Sequence, residues 1–142
     1  TYATCPMGAD HTAGNMIGLY LSGAMDALKP DGQVPASRNA QIGAASVDTL
    51  GLCLLVGGAL RTQEGGQAFL KALNAKLGTT LGPEAISAYG VKALQAEREF
   101  NRKAGFTNKD DRLPEFFYKE PLPPHNKVFL VSDSELDTLF DF

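Results

Sequence analysis

At 142 residues and 15.1 kDa the chain has the length for one compact domain with a single core, and too little for two of ordinary size. Its 44% hydrophobic and 20% charged residues, with 15 Gly and 8 Pro, exclude a disordered or fibrous protein. A formal charge of −3 and a pI near 5.3 exclude the positive field that nucleic-acid phosphates require, so no nucleic-acid partner is expected.

No basic-then-apolar leader opens the chain, and the start at Thr1 without Met reads as an excised or processed piece. The expected location is cytoplasmic. In chain order, a first helix is expected from about Asp10 to Leu28, with Met16, Leu19, Tyr20 and Gly23 at helical spacing and a stop at Lys29-Pro30-Asp31-Gly32. A second follows the Pro35-Ala36-Ser37 entry and carries the apolar run Ile42 to Leu60. That run approaches membrane-spanning length, but Asp48 within it would cost on the order of 2.5–3.5 kcal/mol in lipid. It therefore reads as the buried helix of a core, and as the most buried element of the fold.

A third helix is expected around Glu64 to Leu77, with Phe69, Leu70 and Leu73 on one face and Gly78 as its C-terminal cap. A fourth begins after Gly82, with Pro83 in its first turn, and continues through Ile86, Tyr89, Ala93 and Phe100 to Arg102, Lys103 and Gly105. Residues 106–130 should be irregular, because Pro114, Pro121, Pro123 and Pro124 forbid regular helix; the mixed-sign stretch Asn108 to Arg112 within them reads as a solvated loop. Ser132 and Glu135 form a capping box that starts a last helix. With no period-two alternation anywhere, the expected fold is all-α: one irregular multi-helix domain over residues 1–142.

Asp48 invites attention because Asn39 to Leu60 holds no other formally charged side chain. A carboxylate there must find donors, a cation or a proton. On one helix Asp48 and Leu52 would share a face, with Gly51 letting another backbone or a flat ligand approach; the alternative is an N-cap for a helix starting at Thr49. Cys53, flanked by leucines and without a CxxC partner, reads by itself as a small buried hydrophobe. His11 has small neighbours in Gly8, Ala9, Ala13 and Gly14, so it could shuttle a proton, donate to a substrate oxygen or be structural. His125, between prolines and a polar loop, reads as exposed.

Three stretches, in order, resemble one family. They are Cys5-Pro6-Met7-Gly8-Ala9-Asp10-His11-Thr12-Ala13-Gly14, then Asp48-Thr49-Leu50-Gly51-Leu52-Cys53, then Asn101 to Thr107 running on to Asp110-Asp111-Arg112-Leu113-Pro114. They are similar to the C-terminal helical region of the tungsten- or molybdenum-pterin aldehyde ferredoxin oxidoreductases. The resemblance implies a piece of a larger enzyme that converts aldehydes to carboxylic acids with ferredoxin as electron acceptor. It implies that Asp48, with Leu52 beside it, contacts a pterin, that Cys53 ligates a 4Fe-4S cluster, and that His11 faces the substrate pocket. The metal cradle and three further cluster cysteines would belong to an N-terminal cofactor-binding domain, so this piece alone would bind no cofactor and be inactive. Cys5 receives no role. Asp48 and Cys53 are expected at an accessible edge, with His11 lining one pocket with Asp48. A free-standing helical interaction domain and a related tungsten enzyme with another substrate class are the alternatives.

Overall fold

Gly32, at φ 72°, turns the chain into its central helix, and that helix runs straight through Pro35 because a residue in the first turn needs no intrahelical N–H partner. The computed structural model describes residues 1–60 and 62–142, and its helices are α1 (Ile17–Leu21), α2 (Gln33–Thr49), α3 (Gly57–Leu60), α4 (Gln63–Leu77), α5 (Glu84–Lys103), α6 (Phe116–Lys119) and α7 (Asp133–Asp137). Among the described residues the only β pairing is an isolated bridge between Leu122 and Lys127, so the fold is all-α as expected.

The frame is the crossing of α2 and α5. Two small residues let the backbones meet. A Cβ on Gly90 would collide with the Ile42 carbonyl and the Ser46 hydroxyl, and Ser46 turns that hydroxyl back onto the Ile42 carbonyl at 2.7 Å. A second core joins the start of α2 to the chain's end, where Val34 packs with Val131, Leu136 and Leu139. Arg38 binds it further, its Nε donating to the Leu139 carbonyl at 2.6 Å.

Several helix ends match the expectation because each rests on local chemistry. The Thr62 side chain caps α4, Gly78 closes it in the left-handed conformation, and α5 starts after Pro83 with Arg102 and Lys103 in its last turn. The Ser132–Glu135 capping box opens α7 as read, although α7 is only five residues long.

The first helix is shorter than expected. Only Ile17–Leu21 is helical, not Asp10–Leu28. Gly14, at φ 109°, lies so close to α2 that a Cβ would sit 2.5 Å from the Ala40 carbonyl carbon, and Gly23 is left-handed as well. The segment is thus a looped strap over α2, closed on itself by the Thr1 hydroxyl on the Gly14 carbonyl at 2.7 Å and fastened by Gln41 Nε2 of α2 donating to Thr4 Oγ1 at 3.1 Å and by Asn101 of α5 donating to the Pro6 carbonyl at 2.7 Å.

The apolar run also departs from expectation. It is not one buried helix: it breaks at residues 50–53 and turns by 116° into the segment Leu54–Leu60. Its first half is buried, at Ala44 and Ser46, whereas Leu54, Leu55 and Val56 are exposed, Leu55 at 89%. No single helix among the described residues is long and apolar enough to cross a membrane. Residues 106–130 are irregular as read, but Asn108 to Arg112 is more than a solvated loop. Asp111 pairs with Arg98 of α5 at 2.6 Å, and Arg112 reaches Asp133 at 3.0 Å and Asp137 at 2.7 Å.

Candidate cofactor-facing site

The motif Asp48-x-x-Gly-Leu-Cys is, physically, a helix ending. Gly51 is left-handed at φ 69°; its N–H donates to the Asp48 carbonyl at 2.9 Å, and the Leu52 N–H reaches back to the Val47 carbonyl at 3.1 Å. This paired closure satisfies two of the carbonyls that every helix end leaves open, and it requires a residue free of the Cβ penalty at position 51. Nothing lies within 4 Å of a Cβ built on Gly51, so the glycine serves the turn and not a close neighbour within this chain.

Two readings of Asp48 change as a result. It sits in the last turn of α2 and is no N-cap for a segment starting at Thr49, and it shares no helix face with Leu52, which has left the helix. Cys53 follows in extended conformation, φ −67° and ψ 139°, and its thiol is exposed. Single-residue reasoning made it a buried hydrophobe; the turn at Gly51 instead throws it out of the helix. Asp48 is exposed and Leu52 half-buried.

Next to Asp48, the strap, α2 and α5 border an open cleft of about 110 Å³ lined by Cys5, Met7, Gln41, Asp48, Leu94 and Glu97 among others. Burial pushes the Glu97 carboxyl above its ordinary range, and the charge of Asp48 adds to the effect. Burial likewise pushes the Cys5 thiol up, outweighing the Met7 backbone N–H that favours the thiolate. Gln41 is almost wholly buried; its Nε2 donates to Thr4 Oγ1 at 3.1 Å and Ser37 Oγ at 3.2 Å, while its Oε1 has no partner. Among the described residues neither Asp48 nor Glu97 has a cation or a donor for its carboxylate, and the lining holds no Lys, Arg or His.

His11 lies on the strap, exposed. Its Nδ1 is 3.9 Å from Asp10 Oδ1, and Asp10 is held below the usual carboxylate range by the Thr12 N–H at 2.7 Å and the Thr12 hydroxyl at 2.8 Å. The cleft wall includes the strap neighbours Cys5, Met7 and Ala13 but not His11. His125 is exposed, as read. Glu97 and Gln41 escaped the sequence reading. The available signal was Glu97 four residues beyond Ala93, an acidic side chain on the inward stripe of α5.

The fold is thus an all-α domain whose central helix ends in the turn Asp48-x-x-Gly-Leu-Cys. The chain belongs to the aldehyde ferredoxin oxidoreductases: a family model described as "Aldehyde ferredoxin oxidoreductase, domains 2 & 3" matches residues 1–141. It is 34% identical over 141 residues to a tungsten-containing aldehyde ferredoxin oxidoreductase of Thermococcus kodakarensis, covering 95% of this chain and 23% of that protein. A protein of the same description from Pyrococcus furiosus is 33% identical over 127 residues, covering 86% of this chain and 20% of its own length. The chain thus spans less than a quarter of these curated relatives. No solved structure gives a significant match.

Proposed function

We propose that residues 1–142 form one helical unit of a cytoplasmic aldehyde:ferredoxin oxidoreductase, and that the end of α2 is its cofactor-facing edge. The observation that carries this reading is the Gly51 turn, which throws the Cys53 thiol out of the helix to the surface just beyond the exposed Asp48 carboxylate in the last turn of α2. The Asp48 carboxylate has no cation partner among the described residues, and an exposed thiol on extended backbone is open to ligate a metal cluster.

The donor set fits the cofactors the family resemblance implies. Asp48 and Glu97 offer carboxylate acceptors without donors among the described residues, which suits the amino and N–H edge of a pterin. Asp48 is the acceptor assigned to that edge, with half-buried Leu52 as an apolar contact beside it. Cys53, with its exposed thiol, supplies one thiolate of a 4Fe-4S cluster, and the other three ligands come from the rest of the polypeptide. Bound tungsten (or molybdenum) pterin supplies the two-electron chemistry that turns an aldehyde and water into a carboxylic acid, with the electrons leaving through the cluster to ferredoxin.

This chain's residues bind, orient and move protons. His11 holds the aldehyde oxygen or carries a proton, with the Asp10 carboxylate, kept ionised by Thr12, 3.9 Å from its Nδ1. The exposed apolar side chains Leu54, Leu55 and Val56, next to Cys53, are covered by the N-terminal part of the same polypeptide.

In the full-length enzyme, Asp48→Asn should lower bound tungsten and pterin per protein while leaving the fold intact. His11→Ala should lower turnover by roughly 10²–10⁴-fold, the usual worth of a placed proton carrier, with metal content unchanged. Normal tungsten in the first variant removes Asp48 from the cofactor, and normal turnover in the second makes His11 structural.

A further inference from the structure

We propose that Asn101 is a positioning residue for His11: its side-chain amide pins the strap to α5 just ahead of the loop that carries the imidazole, and so sets where His11 meets the substrate. The inference rests on the reading that His11 acts on the aldehyde, and extends it to a side chain on α5.

His11 stands in a loop that does not hold its own place. Met7, Gly8, Ala9, His11 and Thr12 are exposed, and among the described residues none of 7–12 hydrogen-bonds to α2 or α5. The loop's internal bonds are short-range: Asp10 accepts from the Thr12 N–H and hydroxyl, the Gly8 N–H donates to the Cys5 carbonyl, and Asn15 donates to the His11 carbonyl at 3.2 Å. Those bonds shape the loop and leave its placement on the helices to its two ends. The far end is fixed by packing, where Ala13 is buried and Gly14 lies against Ala40 too closely for any Cβ. The near end is fixed by hydrogen bonds: Gln41 Nε2 of α2 donates to Thr4 Oγ1 at 3.1 Å, and Asn101 Nδ2 of α5 donates to the Pro6 carbonyl at 2.7 Å. Of these two, the bond from Asn101 is nearer to His11, and it ties the loop to α5.

The donor is itself held. Asn101 lies in the last turn of α5, one turn beyond Arg98, which pairs with Asp111 at 2.6 Å and stands 4.8 Å from the centre of the Phe140 ring. Both members of that pair are largely buried, so it fixes the end of the helix more firmly than a surface pair could. The stretch from Asn101 to Pro114, which has no part in the function proposed above, thus acquires one: it braces the helix end from which Asn101 reaches the strap. A single hydrogen bond adds little to global stability, whereas moving a reacting group by about an ångström can cost roughly 10²-fold in rate. Loss of the amide should therefore show in turnover far more than in folding.

Turnover per bound tungsten in the full-length enzyme, measured in a cycle with His11, tests the proposal. Asn101→Asp, of the same size but without the amide N–H, should lower turnover by roughly 10–100-fold in the otherwise unchanged enzyme. With His11→Ala already in place the same change should cost at most about twofold, because the imidazole whose position it sets is gone. Asn101→Gln, which keeps the amide donor, should retain more turnover than Asn101→Asp. If Asn101→Asp fails to fold, Asn101→Ala takes its place in the same cycle. Equal losses in the two backgrounds, or undiminished turnover in Asn101→Asp, overturn the proposal. So does Asn101→Asp outperforming Asn101→Gln, since the size of the side chain and not its N–H would then matter. Normal turnover in His11→Ala alone defeats the underlying reading of His11, whereas a loss there with none at Asn101 defeats only the positioning role.

Discussion

The two halves of the run from Ile42 to Leu60 meet opposite fates, and the exposed one is the more apolar. The first half lies on α5, with Ala44 and Ser46 buried and Gly90 opposite them; the second, past Gly51, presents Leu54, Leu55 and Val56 to solvent. Hydrophobicity alone thus does not say which surface an apolar stretch covers. The first half is complementary to a helix this chain contains. The second finds no complement among the described residues, and in the proposed function its cover comes from the rest of the polypeptide.

The comparison breaks most visibly at the crossing. Gly90→Leu forces α2 and α5 apart at the Ile42 carbonyl and should destabilise the full-length protein by about 3 kcal/mol, the upper part of the usual range for overpacking. Chemical denaturation monitored on this region measures it, and an unchanged midpoint would mean the helices do not meet there. On the other half, Leu55→Ser should cost about 2 kcal/mol in the full-length protein if the exposed turn is covered by the remaining polypeptide. A cost near zero would leave that face open to water and remove the contrast. At the joint between the halves, Gly51→Ala should cost about 1 kcal/mol through its left-handed backbone and loosen the placement of Cys53. Smallest is the difference between the thiols. Cys5, buried and with its thiol pushed up, should resist alkylation at neutral pH until the protein is unfolded, and rapid labelling of the native protein would contradict its burial.

What was legible in the sequence follows the range of the interactions. Gly78, Pro83 and the Ser132–Glu135 pair act on their own backbone within a turn, so the ends of α4 and α5 and the start of α7 could be read directly. Gly14 could not be read in this way. It breaks the expected first helix because the strap must pass against Ala40, a contact made between residues 26 positions apart in sequence. The ending at Gly51 was legible in principle, since a glycine followed by an apolar residue after a helical run is the usual closing signature. The length of the apolar run concealed it. Asp48 and Cys53 stood out by being exceptional in that run, whereas Glu97 and Gln41 become visible only once α2 and α5 are laid together.

The central claim is that the turn at Gly51 delivers Cys53 to an iron–sulfur cluster shared with the rest of the polypeptide. Iron content and the electron paramagnetic resonance spectrum of the reduced full-length Cys53→Ala enzyme test it most directly. The account predicts loss of iron, or conversion of the four-iron signal to that of a three-iron cluster, with the helical content unchanged. A full complement of iron and an unaltered four-iron signal would contradict it.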